Sequence, residues 1–143
     1  MTPEAGGHII KGMKIRLFVL LVLIAASGCL TPEARLAASE NRLLKRITQY
    51  HEALTWRDYE QAAALVAPAR RMDFLSRAQK LQRGYTLDSY SVRDLQVDAD
   101  GRSAKAVLHR TFILAPSVIL QAEDIVQPWA QINDVWFLSG PPF

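Results

Sequence analysis

The stretch YSVRDLQVDADGRSAKAVLHRTFI, residues 90–113, decides the fold. At its centre Asp98-Ala99-Asp100-Gly101 is a hairpin turn, with strand-like sequence on both sides. Residues 90–97 form the incoming strand. On the outgoing side Ala104, Ala106, Leu108, Arg110 and Phe112 alternate with Lys105, Val107, His109, Thr111 and Ile113. That period of two places one set on each face of a sheet. Ala115-Pro116-Ser117 breaks the run, and a third strand is expected over residues 118–132, with Pro128 marking a bulge or an edge. Asn133-Asp134 then turns the chain into a last strand over 135–138.

Upstream the period changes to that of helices. Thr31 suits an N-cap, Pro32 the first helical position and Glu33 the positive helix end. Leu36, Leu43, Leu44, Ile47, Tyr50, His51 and Leu54 follow helical spacing, so a helix of about 24 residues and roughly 36 Å starts there. Trp56-Arg57 is a short connection. Asp58 with Gln61 reads as a capping box for a second helix, with Tyr59, Ala62, Ala63 and Val66 on its apolar stripe and an end at Ala67-Pro68. A third helix is expected over 68–82, burying Met72, Leu75, Ala78 and Leu81, with Gly84 as its stop. About three N-terminal helices followed by a four-stranded antiparallel meander make an α+β domain, the helices covering one face of the sheet.

The first 28 residues read as an address. Lys14 and Arg16 precede an unbroken apolar run over 17–26, and Ala25-Ala26-Ser27-Gly28 lead into Cys29. Positive start, apolar middle and small residues make a signal peptide. Ten apolar residues span only about 15 Å as helix, against roughly 30 Å for a bilayer core. Ala26-Ser27-Gly28-Cys29 resembles the lipobox of bacterial lipoproteins. The resemblance implies cleavage between Gly28 and Cys29 and attachment of diacylglycerol to the Cys29 thiol, with acylation of the new amino terminus. Glu4 and Gly6-Gly7 do not suit a signal start, whereas Met13-Lys14-Ile15-Arg16 does, so translation is expected to begin at Met13. Leu30 rather than Asp after the cysteine implies, by the same resemblance, an outer-membrane anchor facing the periplasm in a Gram-negative host. The chain then divides into a signal peptide over 1–28, a lipidated tether over 29–33 and one domain over 34–143.

Tyr50-His51-Glu52-Ala53-Leu54 running into Asp58-Tyr59-Glu60-Gln61-Ala62, with the closing hairpin over 129–138, resembles the nuclear transport factor two-like (cystatin-like cone) superfamily. The resemblance implies a curved, cone-like sheet wrapped round the long helix, with a pocket at its wide end. Its members include enzymes, ligand binders and docking modules, so the fold does not choose the function.

In such a pocket His51, His109 and Asp94 are the candidates for acid–base chemistry, because imidazole and carboxylate exchange protons near neutral pH. Tyr50, Tyr90, Trp129 and Trp136 are candidates for contact with a ligand or partner. His51 belongs to the inner or flanking face of the first helix; alternation leaves the burial of His109 open. Two scattered histidines do not form a metal site, and neither a Gly-x-Ser-x-Gly elbow nor a glycine-rich phosphate loop is present. No cofactor is expected.

The 143 residues suit one domain. Seventeen Lys and Arg against fourteen Asp and Glu give +3, which does not suggest a nucleic-acid binder. Cleavage before Cys29 would leave 115 residues and a charge of +1. The remaining charge is segregated: residues 29–83 hold ten basic and six acidic groups, residues 84–143 four and seven. The single cysteine excludes an internal disulfide. The expected function is that of a membrane-anchored envelope lipoprotein binding a partner protein or small ligand without catalysis. The alternatives are a small acid–base enzyme and an assembly factor of an envelope or secretion complex.

Overall fold

A computed structural model describes residues 31–141. The expected signal peptide, with the expected start at Met13 and the expected cleavage and lipidation at Gly28 and Cys29, lies outside the described residues. The elements run α1 (Pro32–Thr55), α2 (Tyr59–Ala64), a 3-10 turn (Pro68–Arg70), α3 (Arg71–Leu81), then β1 (Tyr85–Val97), β2 (Ser103–Leu114), β3 (Leu120–Ile132) and β4 (Val135–Leu138). Among the described residues no helix is long and apolar enough to cross a membrane.

Helix α1 buries Ser39, Leu43, Ile47, Tyr50, His51, Ala53 and Leu54, the stripe its spacing predicts. Leu36 and Leu44 sit on its flanks and are each 42% exposed. Asp58 caps α2 by accepting from the Gln61 N–H at 3.0 Å. The 3-10 turn at Pro68–Arg70 delays the third helix to Arg71 and rotates its face. Phe74 and Ala78, one turn apart, are therefore its buried residues, with Leu75 and Leu81 partly buried. Met72, expected in the core, is on the opposite side and 78% exposed.

The four strands pair antiparallel in the order β1-β2-β3-β4. The β1–β2 turn closes as expected: the Gly101 N–H donates to the Asp98 carbonyl at 2.8 Å, and Gly101 takes a φ of 67°. The Asp100 carboxylate accepts from the Arg102 N–H at 2.8 Å. Asn133 and Asp134, with φ of 51° and 62°, make a two-residue β3–β4 hairpin turn of the kind that matches strand twist. At Pro128 the β2–β3 register runs on unbroken, so no bulge forms there. The Pro128 carbonyl accepts from the Ser139 N–H at 2.9 Å. Its ring nitrogen therefore faces β4's side, where the ladder stops, and no sheet hydrogen bond is lost. The bulges lie in β1 instead, between Leu87 and Ser89 and between Val92 and Asp94.

The expectation of a curved, cone-like sheet is corrected. The sheet is neither curled nor closed, and β1 and β4 are its two edges. Closure would need a long ladder between them. β4 has only four residues, and its outer edge is already taken by the linker after α2. There the Leu138 N–H donates to the Leu65 carbonyl and the Ala67 N–H to the Leu138 carbonyl, both at 2.9 Å, with a parallel bridge between Val66 and Leu138. What stands of the expected architecture is α+β: about three N-terminal helices on a four-stranded antiparallel sheet.

The core lies between α1 and the inner sheet face. It joins Leu43, Ile47, Tyr50 and Leu54 to Phe74 and to Ala106, Leu108, Trp129, Trp136 and Leu138. Each fully buried large apolar side chain contributes about 1.5–3 kcal/mol.

Candidate functional site

His51 lies fully buried on the inner face of α1. Its ring stacks on Tyr90 of β1, with centroids 4.6 Å apart, and Tyr50 meets it edge-on at 5.2 Å. Gln127 of β3 is 97% buried, and its side-chain carbonyl lies 3.2 Å from His51 Nε2. An amide oxygen only accepts, so Nε2–H is the donor and Nδ1 carries the lone pair. Nδ1 is buried with no hydrogen-bond partner among the described residues. Burial pushes the His51 pKa down to about 4; the bond to Gln127 opposes this, and the charge on Arg110 adds to it. The ring is therefore neutral across the physiological range.

Arg110 extends this polar interior along β2. Its side chain is 8% exposed and bonds Glu123 of β3, Nη2 to Oε1 at 2.5 Å and Nε to Oε1 at 2.7 Å. Its guanidinium also lies over the rings of Tyr85 and Phe112, at 5.9 and 5.6 Å. Two strand-paired residues thus hold a cation inside the domain, and a charge-assisted bond of this kind is the stable way to bury one. Burial raises the Tyr50 and Tyr85 hydroxyls above the usual phenol range, against the lowering effect of Arg110.

The sequence candidates divide between two faces. His51, Tyr50 and Tyr90 come together inside. Trp129 and Trp136 are 1% exposed, and Tyr50 packs edge-on to Trp129 at 6.2 Å. Both tryptophans are core, so neither ring presents a surface to a partner. His109 is on the opposite sheet face, where its Nδ1–H donates to Asp124 at 2.7 Å. Asp94 is exposed, and among the described residues it bonds only its own neighbours, the Leu95 N–H and the Gln96 amide. His51 and His109 therefore do not converge on one reacting atom, as shared acid–base work would need. Gln127, Arg110 and Glu123 were not singled out from the sequence. The signal for Arg110 was present, since it falls on the apolar register of β2. Among the described residues no group of three His, Cys, Asp or Glu side chains gathers at one point.

No protein-family model matches the chain, and no curated protein matches it. Solved structures do. A SEC-C motif containing protein from Rhodopseudomonas palustris aligns over 63% of this chain and 69% of its own, with a TM-score of 0.55 and 12% identity. A ketosteroid isomerase-like protein from Erwinia carotovora atroseptica aligns over 70% and 90%, with a TM-score of 0.55 and 11% identity. The domain shares the fold of these two proteins. A SEC-C motif containing protein from Psychrobacter arcticus aligns with a TM-score of 0.52 and 18% identity, this chain spanning 55% of its length. At these identities the likeness is one of fold.

Proposed function

We propose that the chain is a bacterial envelope lipoprotein, cleaved before Cys29 and acylated there, whose α+β domain docks a partner protein and has no catalysis of its own. The observation that supports docking is the distribution of apolar side chains. The interior is occupied by Tyr50, His51, Phe74, Trp129 and Trp136, each at most 1% exposed. One end of the domain carries Trp56 at 82%, Val118 at 88%, Ile119 at 70% and Leu120 at 53% exposure. These belong to one end because Arg57 donates to Thr86, Thr86 pairs with Ile113, and Ile113 pairs with Leu120. Clustered exposed apolar side chains are costly to keep in water and mark interaction surfaces. A small ligand would instead need room beside His51, and a shared acid–base site would need His109 or Asp94 to face it. An assembly factor of an envelope complex is one form the docking reading takes.

The anchor rests on the lipobox resemblance at residues 26–29, and Leu30 supports an outer-membrane destination. Two measurements test the whole. Cys29→Ser should abolish palmitate labelling and release the protein from membranes; unchanged labelling refutes the anchor. Val118→Asp with Ile119→Asp should leave the folded domain intact and abolish co-purification of the partner from native membranes. Unchanged recovery of that partner refutes this docking surface.

A further inference from the structure

Arg42, Lys45, Arg46 and Gln49 recur at helical spacing, so they share one stripe of α1. Opposite them Asp134 of the β3–β4 turn and Val135 and Trp136 of β4 form the second wall of a groove of about 290 Å³. Arg46 is held there by its Nε, which donates to the Trp136 carbonyl at 3.0 Å. Arg71, from the start of α3, is held the same way: Nε donates to the Val66 carbonyl at 3.2 Å and Nη2 to Ala64 at 3.3 Å. The two guanidinium carbons lie 5.4 and 5.8 Å from the centre of the Phe137 ring.

Three ion pairs occur among the described residues, and none includes Arg42, Lys45, Arg46 or Arg71. Asp134 is the carboxylate on the groove's rim, and it makes no ion pair there. Partial burial and the charge of Arg71 hold Arg46 below the usual guanidinium pKa. A protein gains nothing in stability from holding like charges together without a counter-charge. Backbone anchoring also fixes both forks in advance of any ligand, which lowers the ordering cost of binding. Arg42, Lys45 and Arg46 line the groove, and Arg71 adjoins it through the Phe137 ring that it shares with Arg46. Such a set of cations suits a dianion better than a single carboxylate, and guanidinium forks match phosphate oxygens two at a time.

We propose that Arg46 and Arg71, backed by Phe137 and flanked by Arg42 and Lys45, form a binding site for a phosphate group, carried by a lipid headgroup or by a soluble phosphomonoester.

The test uses the full-length chain titrated calorimetrically with inorganic phosphate and with glycerol 3-phosphate, against chloride at equal ionic strength. A second arm floats the mature chain from residue 29 carrying Cys29→Ser, and so without leader or lipid, with phosphatidylcholine vesicles containing or lacking phosphatidic acid. Binding in the first arm identifies a soluble phosphate source, and binding in the second alone a headgroup; either supports the site. Arg46→Gln with Arg71→Gln should weaken binding by about tenfold or more, since both guanidinium forks and their charges are lost. Arg42→Gln with Lys45→Gln alters only exposed side chains and should cost about threefold, so the site stays testable if the first pair misfolds. Arg46→Lys with Arg71→Lys keeps the charge and loses the forks. Full affinity in that variant means diffuse attraction and overturns the site. So does phosphate binding no better than chloride together with flotation no better with phosphatidic acid than without it, or binding that neither glutamine pair weakens.

Discussion

Acidification should destabilise this domain through one residue. His51 is buried and neutral in the fold, with a pKa of about 4 against 6.5 for an ordinary histidine. The unfolded chain therefore takes up a proton first as pH falls. Stability is full above 6.5 and is lost as pH drops toward 4, at about 1.4 kcal/mol per pH unit. Between about pH 7.5 and about pH 5 the loss comes to roughly 2 kcal/mol. Stopping near pH 5 keeps most carboxylates ionised, so their titration does not mask the effect. With a urea m-value of about 1–3 kcal/mol/M, the unfolding midpoint should fall by roughly 1 M. His51→Phe keeps a ring to stack on Tyr90 and removes the titrating group. It leaves the Gln127 carbonyl without its donor, so the variant should be weaker at both pH values by about 1–3 kcal/mol. Its loss between the two pH values should be smaller than the wild type's by about 2 kcal/mol. Equal losses in the two proteins would refute the reasoning. So would an NMR titration placing the His51 ring near 6.5, because the ring would then be reaching water in the folded state.

Two further outcomes follow from close contacts. A Cβ added at Gly140 would lie 2.4 Å from Pro128 Cγ, so Gly140→Ala should cost about 1–3 kcal/mol, and Pro128→Ala in the same chain should recover part of the loss in melting temperature. Glu123→Gln leaves the Arg110 cation buried without its counter-charge and should cost about 2–4 kcal/mol by urea unfolding. Adding Arg110→Met should restore much of it; a double variant no better than the single one would show that the ion pair is not the cause.

The element order, both hairpin turns and the inner stripe of α1 were legible in the sequence because each is local. The alternation from Ala104 to Phe112, the Asp98–Gly101 turn and the spacing from Leu43 to Leu54 depend on the backbone's own periods of 2 and 3.6. The third helix was misread where a local event changed the phase: a 3-10 turn after Ala67 moved Phe74 into the core and Met72 out of it. Sheet curvature was misjudged for a longer-range reason. Whether β1 meets β4 depends on what else reaches the β4 edge, and residues 65–67, some seventy positions earlier, reach it first.

The site divides the same way. That His51 faces inward follows from helical spacing. That Gln127 accepts from its Nε2–H, that Tyr90 stacks on it, and that His109 meets Asp124 on the other face depend on how elements far apart in the chain are brought together. The sequence by itself determined the α+β order and the apolar faces, because periodicity is a property of short stretches. Only the tertiary structure decided which polar groups of distant elements meet, because a hydrogen bond requires two atoms at one point in space, and for the His51 site no short stretch carries both.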